Sequence, residues 1–181
     1  MITTLFGKKK MTEDKLANIF VNAVLELTDN GFPSIVAELQ DSPEFERQPE
    51  FGPGDDELFA QIVLAGNLME AQKALPAGTD RRVFSLSISK FANAMGLQAS
   101  DLETDVIAMQ HYMERINHPS KNTVYAMGKA VFHKYDLFRS QDAYFREIKQ
   151  PNPIVLKRLN VLMECFLWNW KQVTDEFRIS N

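Results

Sequence analysis

PIVLKRLNVLMECFLWNWKQVTDEFR, residues 153–178, is the stretch whose reading decides the fold. Val155, Leu159, Leu162, Phe166, Trp170, Val173 and Phe177 recur along it every three or four residues. That period is one face of an α-helix. Val161, Cys165 and Trp168 form a second apolar row, and Leu156, Met163 and Leu167 a third. The polar strip is narrow: Lys157, Asn160, Glu164 and Lys171, continuing into Asp175 and Arg178. A helix apolar around most of its circumference is expected to be surrounded by other helices. Both tryptophans and the only cysteine lie on it. Each large apolar side chain stabilises by roughly 1.5–3 kcal/mol when fully buried, so this stretch is the expected centre of the core. Asn169 faces away from the polar strip and is expected to need a buried hydrogen-bond partner. Together with Phe166 and Trp170 it forms the candidate lining of a ligand pocket between helices.

Working outward, 181 residues support one domain with a sizeable core. With 45% hydrophobic and 24% charged residues, the composition is that of an ordinary globular chain. One cysteine excludes an internal disulfide framework and a multi-cysteine zinc site. On an apolar helix, Cys165 reads as an inert core residue rather than a nucleophile. No apolar run is long enough to cross a membrane. The opening MITTLFGKKKM carries its charges after a very short apolar run, which is not a secretory signal. The expected location is cytoplasmic.

The net charge of −4 hides an asymmetry. Residues 12–114 hold 18 acids and 6 bases, whereas residues 115–181 hold 11 bases and 6 acids. Such a division marks either a basic face for an anionic partner or two halves that complement each other within one domain.

Residues 1–11 read as a flexible N-terminal segment, and residues 12–181 as a single all-α domain. Thr12 is placed to cap a first helix with Leu16, Ile19, Phe20, Ala23 and Leu27 on its core face. Asp29-Asn30-Gly31 is expected to end it, and Pro33 to open a short helix to Leu39. DSPEFERQPEFGPG, residues 41–54, has three prolines and two glycines, which oppose regular structure. Phe45 and Phe51 are expected to pin this acidic loop to the body. Asp55 then caps a helix with Leu58, Ile62, Ala65, Leu68, Met69 and Leu75 on its core face. Another runs from Thr79 or Asp80 to Gly96. Ser100 and Glu103 have capping-box spacing for the next, which His118-Pro119 ends. Residues 121–138 and 141–149 read as two more helices before the last. The alternation that marks strands is absent. The expected fold is a single compact all-α bundle of seven or eight helices packed around the apolar C-terminal helix. The short similar strings KLANIF, LFAQIV and KFANAM lack the fixed period of a solenoid.

FANAMGLQASDL, residues 91–102, has helix-turn-helix spacing. Its second helix carries Asp101, Glu103 and Asp105, which repel phosphates, so no specific duplex DNA binding is expected. Ser87 and Lys90 have Ser-x-x-Lys spacing without the companion motifs of that enzyme class. His111 with Glu114, and His133 with Asp136, fall short of the ligand set of a di-metal bundle site. No glycine-rich phosphate loop is present. No catalytic residue, metal site or cofactor is assigned.

The best surface candidate lies on the helix at 121–138. Lys121, Tyr125, Lys129 and His133 stack at steps of four, and Arg139 and Arg146 follow nearby. A basic row containing an aromatic suits an acidic protein partner, a phosphate or a single strand of nucleic acid. It equally suits a solvated face, or one docked on the acidic loop 41–57. The reading from sequence is a non-enzymatic protein-interaction or adaptor module using this face. The alternative is a binder of a small apolar ligand near Phe166, Asn169 and Trp170. The oligomeric state is not written in this pattern.

Overall fold

Thr12 opens the helical part of the chain: its hydroxyl accepts from the amide of Lys15 at 3.2 Å, and α1 follows as Glu13–Gln40. The structure, a computed structural model, describes residues 7–181. Residues 1–6 of the expected flexible segment lie outside the described residues. Residues 9–11 of that segment are not frayed. They belong to a short strand, β1 (Lys9–Thr12), paired in parallel with β2 (Phe177–Ser180), so segments far apart in the chain meet.

Eight α-helices lie among the described residues. After α1 come α2 (Asp55–Ala74), α3 (Thr79–Met95), α4 (Ala99–Asn117) and α5 (Thr123–Lys134). A 3-10 turn, Leu137–Ser140, leads to α6 (Ala143–Glu147), α7 (Pro153–Glu164) and α8 (Trp170–Glu176). No helix among the described residues is long and apolar enough to cross a membrane. The all-α bundle is as the sequence implies, but its centre lies elsewhere. On α2, Phe59, Ala60 and every residue from Ile62 to Leu68 are buried, so the middle of this helix is enclosed on all sides. Its small residues, Ala60, Ala65 and Gly66, allow neighbours to approach closely.

The expected long C-terminal helix is two helices and a strand. α7 ends at Glu164, the chain turns through Cys165–Asn169, and α8 ends where β2 begins. On α7, Val155, Leu159 and Met163 face the core. Its opposite face does not: Ile154 and Val161 are 57% and 59% exposed, and Cys165 is also exposed. Periodicity records apolar faces but not which of them a neighbour covers.

α1 corrects a second expectation. It runs straight past Asp29-Asn30-Gly31 and contains Pro33. Asp29 and Pro33 are both exposed, so the carbonyl that proline leaves without a donor sits on the solvent side. Gly31 serves packing rather than capping. A Cβ there would stand 2.6 Å from the ring of Phe166. Ser100 does not form the expected capping box, because Gln98 is the N-cap residue of α4 and makes no side-chain cap bond. Gly96, with φ 69°, closes α3 as expected.

The 41–54 loop is pinned as expected. Phe45 bridges Gln141, and the ring of Phe51 lies 5.4 Å from Tyr135 and 6.1 Å from Phe32. Tyr135 donates to the carbonyl of Asp55 at 2.5 Å, and burial holds its phenol protonated well above the ordinary range.

Candidate functional site

A broad apolar hollow that the C-terminal segment shapes lies between α1 and the α7–α8 corner. Ala23, Leu27, Gly31 and Ile35 recur along α1 at steps of four and form one wall. Leu162, Cys165, Phe166 and Trp168 form the other. The trough encloses about 680 Å³. From Ala23 to Ile35 its α1 wall runs roughly 18 Å, or about three helical turns. Its polar lip is Glu26, Asn30 and Ser34. Asp29 and Glu38 are exposed on the same stretch of α1, so the surroundings are acidic.

The corner that closes the trough is held by Asn67, which is fully buried on α2. Its Nδ2 donates to the carbonyl of Phe166 at 2.8 Å and to that of Val63 at 2.9 Å. Its Oδ1 accepts from the amide of Trp168 at 2.7 Å. Behind the corner, Trp170 packs on Phe20 and Trp168, each 4.8 Å between ring centres. Trp168 itself is only half-buried, contrary to its expected place deep in a central helix.

The candidate pocket residues separate. Phe166 is in the trough, whereas Asn169 and Trp170 border a smaller hollow with Lys171 and Thr174. Asn169 is exposed, not buried: it caps α8 by accepting from the amide of Gln172 at 3.0 Å. The buried asparagine that the C-terminal segment needs is Asn67, 102 positions before it in the chain. Asn67 carries no sequence signal, because its partners are backbone groups brought there by the fold.

The basic face is also dispersed. α5 begins at Thr123, so Lys121 precedes the helix and the row on it reduces to Tyr125, Lys129 and His133. Tyr125 is exposed, while Lys129 and His133 are half-buried. Burial lowers the pKa of His133, and the charge of Lys129 adds to this. Arg139 turns to Asp136 at 2.5 Å. Arg146 reaches the acidic loop, 3.1 Å from Glu46. Arg158, not singled out from the sequence, does the same, at 2.9 Å from Glu44. A separate basic group, also unmarked in the sequence, brackets Tyr112: Lys134 lies 4.5 Å and Arg115 5.3 Å from its ring.

The other motifs stay apart. Ser87 is fully buried and Lys90 pairs with Asp14 at 2.8 Å, so the Ser-x-x-Lys spacing brings no hydroxyl to an amine. Asp101, Glu103 and Asp105 are exposed along α4. Among the described residues no three metal-ligating side chains converge. Comparison of the chain with protein-family models, curated proteins and solved structures gives no match.

Proposed function

We propose that this chain is a non-enzymatic protein-interaction module. Its recognition site is the trough between α1 and the α7–α8 corner, and its occupant is an amphipathic helix of a partner protein with basic residues beside its apolar anchors. The observation that carries this reading is the trough itself: an open, aromatic-floored channel about three turns long. A helix laid in a groove needs that length and an apolar floor. Glu26 on the lip, with Asp29 and Glu38 nearby, supplies the charge that selects a basic partner. The site thus moves from the basic face of α5 to an acidic trough. The reason is physical: Arg146 already pairs with Glu46 of the acidic loop, and Lys129 and His133 are half-buried on α5.

The test uses two labelled peptides of about 14 residues, long enough for three turns, one of leucine and lysine and one of leucine and glutamate in the same helical pattern. The leucine–lysine peptide should bind saturably and shift the emission of Trp168, which borders the trough. The leucine–glutamate peptide should bind more weakly, and Glu26→Lys should reverse the order. Equal binding of both peptides, or no effect of Glu26→Lys, would overturn the reading. One-site binding of anilinonaphthalene sulfonate that the leucine–lysine peptide does not displace would replace it with that of a small apolar ligand.

A further inference from the structure

The outward face of α7 carries a pattern of its own, distinct from the trough. Ile154, Lys157, Val161 and Glu164 follow at steps of three, four and three residues, so they stand in one row on the helix. All four are exposed. The row lies opposite Val155, Leu159 and Met163, which are buried. Steps of three and four are those of the seam residues of a coiled coil. The exposed isoleucine and valine on this seam are two apolar side chains that no described residue buries.

The charges on the row complement each other end to end. Lys157 is toward the start of α7 and Glu164 is its last residue. Seven positions put them about 10 Å apart along the axis, too far to pair on one helix. Neither makes an ion pair among the described residues. Laid against its own copy in parallel, the row would set Lys157 on Lys157 and Glu164 on Glu164. Laid antiparallel, it sets Lys157 of each copy on Glu164 of the other. The midpoint then falls beside Val161, and two valines meet at the axis. The row is therefore self-complementary in the antiparallel orientation only, which is one of the two orientations that a closed two-fold dimer allows.

We propose that this chain forms a two-fold homodimer through the outward face of α7, antiparallel, with Val161 at the axis. The dimer goes beyond the trough reading and does not depend on it, because the trough opens on the α1 side of the corner. If both hold, the dimer presents two troughs. The contact is small. A helix of 12 residues is about 18 Å long, and two of them cover less than the roughly 1,600 Å² of a standard stable interface. The dimer is accordingly weak, and its specificity comes from the charge order.

Sedimentation velocity across low to several hundred micromolar protein tests this. The wild type should shift from monomer to dimer within that range, and a chain that stays monomeric throughout overturns the proposal. Lys157→Glu alone and Glu164→Lys alone should each weaken the dimer about five- to tenfold, since each breaks two exposed ion pairs. The double reversal should restore it. Absence of that rescue overturns the antiparallel register, because parallel copies gain nothing from the swap. Val161→Glu should abolish the dimer by setting two like charges on the axis. All these side chains are exposed, so thermal melts at dilute concentration should match the wild type. Glu26→Lys, which disables the trough, should leave the dimer unchanged, so failure of one reading is distinguishable from failure of the other.

Discussion

The amide of Trp168 donates to Oδ1 of Asn67 at 2.7 Å, while Nδ2 of the same side chain donates to the carbonyl of Phe166 at 2.8 Å. One fully buried carboxamide thus satisfies two backbone groups of the turn between α7 and α8. In a core of apolar side chains those groups have no alternative partner.

Asn67→Leu keeps the branching at Cγ, removes both bonds and sets two larger methyl groups in the space of the amide. Each buried group left unpaired costs about 1–3 kcal/mol, so the variant should be among the most destabilised of any single substitution. Urea denaturation measures it. A loss below about 1 kcal/mol would mean that the corner finds its hydrogen bonds elsewhere.

Gly31→Ala tests the close approach of α1 to Phe166. Alanine improves helix propensity by about 0.8–1 kcal/mol, but its Cβ would come within 2.6 Å of the ring. Overpacking costs about 1–3 kcal/mol, so the variant should be less stable despite the better helix former. A stabilised variant would show that the ring moves freely.

Glu44 gives the loop a pH dependence. The hydroxyl of Ser42, bonded at 2.7 Å, lowers its pKa most, and Arg158 adds to this. A carboxyl with a lowered folded pKa binds its proton more weakly folded than unfolded. Its stabilisation is complete above the ordinary carboxylate range and is lost as pH falls through the lowered value. Melts from pH 6 downward should show a decline that Glu44→Gln partly flattens. Ser42→Ala should start the decline at higher pH.

His133 acts in a different window. Burial lowers its pKa first and the charge of Lys129 second, so the fold favours the neutral ring. Its contribution is complete above the ordinary histidine range and is lost as pH falls through it toward the lowered value. Stability should therefore drop between about pH 7 and 5. His133→Phe should remove that slope, and Lys129→Met should reduce it. A slope unchanged in His133→Phe would assign it to other groups.

The helical class, the pinned loop and most breaks between helices were legible in the residues, because they depend on local chemistry. The period of three and four, the prolines and glycines of 41–54, Thr12 as a cap and Gly96 as a stop each act within a turn of the chain. The misreadings share one cause. Gly31 read as a stop because its alternative use, admitting Phe166, involves a residue 135 positions away. KKMT carries no strand pattern, FRIS alternates apolar and polar residues over only four positions, and both form strands because they pair with each other.

The candidate site was legible only in its materials. That Phe166 and Trp168 belong to an unusually apolar stretch is written in the sequence, and so is the charge asymmetry between the halves. Composition and period fix which surfaces are apolar, since these are properties of side chains and of the 3.6-residue turn. Only the tertiary structure decided which apolar faces are covered. It enclosed the middle of α2, left the outward face of α7 uncovered by the described residues, and placed Asn67 under the corner, because burial is decided by neighbours that a single chain segment does not contain.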